Sequence, residues 1–171
     1  NYAVLGIICG LVAFAFAQFL HKCDGFFPRL KIYPPFRTML GGLLVGAIAF
    51  LFPEILGTGH HTVETLLNGH FPQNQHLVGW LRWDSMYLYL IALAFAKLAA
   101  TSLTLGSGAA GGKFAPSLFI GATIGAVFGG VVSSMGLTPT ENPAAYALVG
   151  MAAIFGSIAQ VPLAVILLVF E

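Results

Sequence analysis

Gly106-Ser107-Gly108-Ala109-Ala110-Gly111-Gly112-Lys113-Phe114-Ala115-Pro116-Ser117 lies between two strongly apolar runs, Met86 to Leu105 before it and Ser117 to Val132 after it. The glycines at 106, 108, 111 and 112 keep this backbone open, and Pro116 suits the first turn of a helix that begins near Phe114. A helix that starts at membrane depth presents unpaired N–H groups and the positive end of its dipole. Irregular backbone at that depth persists only where it is buried in protein or lines a wet cavity. The chemistry that fits such a cavity is that of an anion.

Composition sets the solvent. Apolar residues make up 58% of the chain and charged residues 8%, with a mean hydropathy of +0.90, which excludes an ordinary soluble domain. A formal net charge of +1 supplies no basic field, so nucleic acid is not expected as a partner. Cys9 and Cys23 are too few for a disulfide framework and read as unpaired thiols. The Ala3–Leu20 run lacks the basic start and small-residue cleavage site of a signal peptide. The chain lacks an initiator Met and both ends fall in apolar runs, so residues 1–171 read as one piece of a larger membrane domain.

Working outward, Ala3 to Leu20 is long enough for a first span. The segment His21 to Arg37 carries Lys22, Arg29, Lys31 and Arg37 against Asp24, so it reads as a cytoplasmic loop, with Asn1 outside. Thr38 to Phe52 is a second, glycine-rich span. Ile55 to Leu81 is more polar and reads as external, with a short helix near Thr62–Leu67. Trp83 to Leu105 returns inward, with Trp80, Trp83, Tyr87 and Tyr89 as interfacial anchors. Gly121, Gly125 and Gly129 put small residues four apart on the following helix, which permits close helix contact. Leu137 to Asn142 reads as an outer loop. Pro143–Ile158 and Pro162–Phe170, separated by Ala159-Gln160-Val161, are short enough to be two half-helices meeting inside the membrane.

Two other features compete for a role. Lys97 falls mid-span, where a charge needs water or a partner. It either contributes to an anion path or is a buried structural pair with Glu171 or backbone carbonyls, the structural reading being favoured. His60 and Glu64 are four apart, but nothing else follows at ligand spacing, so no metal is expected. The residues define no nucleophile set and no glycine-rich loop after a strand, so no enzyme and no cofactor are expected.

Gly112-Lys113-Phe114-Ala115-Pro116 resembles the G-x-F-x-P motif of the CLC family of chloride channels and chloride/proton antiporters. Thr104-Leu105-Gly106-Ser107-Gly108 before it and Ser117-Leu118-Phe119-Ile120-Gly121-Ala122 after it agree, as does Val161-Pro162-Leu163-Ala164-Val165-Ile166 downstream. The resemblance covers the whole chain and implies an all-α, polytopic fold with tilted, broken and half-spanning helices. It corresponds to part of the second half of the membrane domain, with the first half and the C-terminal end absent. It implies an integral membrane protein of the cell (inner) membrane that forms homodimers and moves chloride or a similar small anion. The backbone N–H groups of Lys113 and Phe114 would then hold the ion, with Ala115 nearby, Gly112 allowing close approach, Phe114 lining the path and Pro116 setting the helix start.

Lys113 departs from the aliphatic residue common at that position. Its side chain either strengthens anion attraction or snorkels to cytoplasmic water. No G-S-G-x-P and no G-x-E-G-P stretch occurs, so the family's central serine and gating glutamate are not in this chain, and Ser107 and Tyr146 are left unassigned. Channel and antiporter both stand, as does the choice of anion. The alternatives are a re-entrant-helix channel for another small solute and, behind it, a membrane-embedded enzyme, which requires the histidines to converge.

Overall fold

The computed structural model describes residues 1–29, 33–68, 76–77, 81–82, 86–136, 143–161, 165 and 167. Its helices are α1 (Tyr2–Arg29), α2 (Pro34–Leu51), α3 (His60–Leu67), α4 (Met86–Gly106), α5 (Phe114–Ser134) and α6 (Pro143–Ala159). A single 3₁₀ turn, Pro53–Ile55, follows α2. The rest of the regular structure described is one short antiparallel ladder, β1 (His76–Leu77) with β2 (Leu81–Arg82), in which His76 faces Arg82. The class is therefore all-α, and α1, α2, α4 and α5 are each long and apolar enough to cross a membrane.

α1 outruns the expected first span. Leu5, Cys9, Ala13, Phe16, Leu20, Cys23 and Phe27 are all buried, and their three- and four-residue spacing continues one stripe through the charged Lys22 and Asp24. The segment expected as a loop from His21 to Arg37 is therefore helical up to Arg29 and again from Pro34, where the fixed φ of proline suits a first turn. Cys9 and Cys23 are both free.

α3 is found where expected in sequence, and it docks on α5. Val63, Leu66 and Leu67 pack with Leu118, Ala122 and Met151, so one face of the helix lies against the first half of α5 while His60, His61 and Glu64 stay exposed. Two glycines in left-handed conformation, Gly57 (φ 67°) and Gly59 (φ 76°), shape the link that brings it there. A Cβ on Gly59 would collide with the Phe119 ring, so glycine is required for the approach as well as for the turn.

α4, α5 and α6 form the best-buried part of the molecule. α5 and α6 run antiparallel with backbones in contact. A Cβ at Gly121 would strike the Gly150 carbonyl, one at Gly125 the Tyr146 carbonyl, and one at Gly150 the Gly121 carbonyl. The small-residue stripe thus works through Gly121 and Gly125 with a partner, Gly150, on the other helix; Gly129 is buried too. Against this sheet of helices, α1 contributes Leu5, Cys9 and Phe16 to a cluster with Leu98, Ile120 and Ile154.

Tyr89, expected at the lipid interface, is 1% exposed: its ring lies 6.2 Å from that of Phe52 and its hydroxyl faces Glu54. Burial against the turn after α2 replaces the anchoring role. Trp80, Trp83, the Leu137–Asn142 segment and most of Pro162–Phe170 lie outside the described residues. After α6 the chain turns at Gln160 (φ 58°), and Val165 and Leu167 are helical again, with the Val165 N–H on the Val161 carbonyl at 3.2 Å.

Candidate functional site

The glycine-rich link first ends one helix. The Ala109 N–H donates to the Thr104 carbonyl (3.2 Å) and the Gly108 N–H to the Leu105 carbonyl (3.0 Å), with Gly108 at φ 89°. This is a Schellman closure, which needs a left-handed residue where Gly108 stands. Ser107 is drawn into it: its Oγ donates to the Thr104 carbonyl at 2.8 Å, and its own carbonyl accepts from Arg37 Nε (3.3 Å) and Thr38 Oγ1 (3.2 Å). The hydroxyl is spent on the helix end.

The link then starts the next helix. Lys113 is the N-cap of α5 without a side-chain cap bond, and the first helical donor is the Ser117 N–H on the Lys113 carbonyl (3.1 Å). Among the described residues no acceptor takes the N–H groups of Lys113, Phe114 or Ala115, and Pro116 has none to give. Phe114 is 45% exposed, its ring edge-to-face with Phe155 at 4.8 Å. A Cβ on Gly112 would meet open space.

Three separate cavities border this helix start. One of about 510 Å³ is lined by Lys113 with His21, Asp24, Ser157 and Gln160. Another, of about 640 Å³, has Phe114, Ala115 and Leu118 on one side and Thr58, His60 and Glu64 on the other. The third, of about 210 Å³, is lined by Gly111, Gly112 and Pro116 together with Lys97, Thr101 and Thr104. His60 therefore shares a cavity with the motif, because α3 docks on α5. Among the described residues no three His, Cys, Asp or Glu side chains converge as metal ligands do.

Lys97 has found carbonyl partners. Its Nζ donates to the Ile55 carbonyl at 2.6 Å and the Gly57 carbonyl at 2.7 Å, and stands 5.3 Å from the centre of the Phe119 ring. Glu171, the other expected partner, lies outside the described residues. Those two carbonyls were not singled out by sequence reasoning. The cue was Leu56-Gly57-Thr58-Gly59, whose paired glycines allow a tight link to turn its carbonyls inward.

Four helices among the described residues, long and apolar enough to cross a membrane and joined by glycine-rich breaks, fit a polytopic membrane protein. The chain belongs to the voltage-gated chloride channel family: the sequence model described as "Voltage gated chloride channel" matches residues 1–171. It is 40% identical to "Chloride channel protein CLC-f" of Arabidopsis thaliana, over 99% of this chain and 22% of that protein. It is 35% identical to "Putative chloride channel protein ClcB-like" of Ralstonia nicotianae, over 100% of this chain and 37% of that one. With "Voltage-gated ClC-type chloride channel ClcB" of Escherichia coli the identity is 29%, over 100% of this chain and 38% of the relative. The chain thus spans well under half the length of these relatives. Membership makes it an integral membrane protein.

Proposed function

We propose that the chain forms one wall of a pathway that carries chloride, or an anion like it, across the membrane. In this reading residues 1–171 are part of a single membrane domain completed by the remainder of the same protein, working as a homodimer. The observation that carries it is the α5 start: amides of Lys113, Phe114 and Ala115 without acceptors, bordered by three cavities. Amide dipoles at a helix N-terminus hold an anion without a full opposing charge, so the ion also leaves. Gly112 keeps that approach free of a side chain, and Pro116 holds the first turn in helical φ.

The test uses the intact protein in liposomes, following chloride efflux and proton movement together under opposing gradients. Chloride flux that drives protons uphill makes it an antiporter, and chloride flux without protons a channel. Folded protein that passes no anion overturns the reading and leaves the other solute channel in its place.

A further inference from the structure

A buried ammonium needs acceptors for its three N–H donors and a counter-charge, or it destabilises the fold. Lys97 is 3% exposed and gives two donors to the Ile55 and Gly57 carbonyls. Carbonyls and the Phe119 ring face are neutral partners, which lower the cost of the charge without cancelling it. Among the described residues no carboxylate stands against Nζ, and no acceptor takes its third N–H.

The cavity of about 210 Å³ beside Lys97 is shared with Gly111, Gly112 and Pro116. At about 30 Å³ per water it has room for a halide and several waters. Thr101 Oγ1 donates to the Lys97 carbonyl (2.8 Å) and Thr104 Oγ1 to the Ala100 carbonyl (2.8 Å), so neither hydroxyl proton competes for an occupant. Val45, Leu56 and Ala100 add apolar side chains to its lining.

We propose that this cavity is a further halide station, in which a small monovalent anion serves as the counter-charge of Lys97 on the flank of the α5 start. It is separate from the cavity that Phe114 and Ala115 line. The station deepens the proposed function, since it rests on a halide being the transported ion, but it does not depend on the Lys113 and Phe114 amides.

The test is an anomalous difference map from crystals of the intact protein grown in bromide, paired with chloride titration calorimetry. The expected map has a bromide in contact with Lys97 Nζ, apart from any bromide at the Phe114 amide. Lys97→Met removes that peak and lowers the bound chloride by one ion, whereas Lys97→Arg keeps both. A wild-type map with no bromide at Nζ overturns the station, as does a carboxylate of the intact protein seated there or a peak that survives Lys97→Met. Should Lys97→Met not fold, the wild-type map still decides. Bromide at Lys97 but none at the Phe114 amide sinks the amide reading and leaves this one standing.

Discussion

Lys113 separates two ways of holding an anion, by a side-chain charge or by the backbone. The residue lines the cavity shared with Asp24 and His21, while its N–H and that of Phe114 sit at the open helix start. If the amides are the ligands, Lys113→Met leaves the half-saturating chloride concentration of the intact protein within about threefold. Replacing the Phe114 amide by an ester, which deletes one N–H, raises it by about tenfold, the worth of one hydrogen bond to a charged partner. Equal effects of the two changes would move the site from backbone to side chain. The glycines divide in the same residue-by-residue way. Gly108→Ala forces a Cβ into the left-handed region and should cost about 1–2 kcal/mol of stability, while Gly112→Ala, which meets open space, should stay within about 0.5 kcal/mol. Denaturation of the two variants in detergent, side by side, reads the difference.

Helices bring in the second helix as a partner, and the α5–α6 pair depends on it. Because Gly125 abuts the Tyr146 carbonyl and the Ala147 backbone, Gly125→Ala cannot be absorbed by a rotamer change and must push the helices apart. A loss of about 1–3 kcal/mol is expected from such overpacking. Chemical denaturation checks it, and an unchanged midpoint would mean the helices separate freely. Elements were also unevenly legible in the sequence. The start of α5 and the break after α6 were readable because proline, glycine and a change in polarity mark them locally. The true length of α1 was readable in principle, since Cys23 and Phe27 continue the stripe of Phe16 and Leu20, but Lys22, Asp24 and Arg29 read as loop charges. The docking of α3 on α5 was not readable. His60, His61 and Glu64 look external, and only its contact with Leu118 and Ala122, from distant sequence, sets its position. Lys97 was legible as a buried charge, yet the carbonyls that take it lie forty residues away, in a link shaped by Gly57.

At the scale of the whole molecule, α3 turns a helix start into a chamber. Glu64 is exposed and faces, across about 640 Å³, the Phe114–Ala115 end of α5. An acidic side chain on the wall of an anion path lowers the local anion concentration, and the effect reaches about one Debye length: roughly 30 Å at 0.01 M salt but 3 Å at 1 M. Glu64→Gln in the intact protein should therefore raise chloride flux by about two- to tenfold at low ionic strength. At 1 M of an impermeant salt the two proteins should converge. Liposome flux at the two ionic strengths, with the chloride gradient held fixed, separates the cases. A gain that persists in high salt would mean that Glu64 acts through packing, and no gain at either strength would take the α3 chamber off the ion's route. His60 lines the same chamber from the same helix, so the comparison is made in a His60→Gln background, which removes its contribution. The flux difference then reports the carboxylate alone.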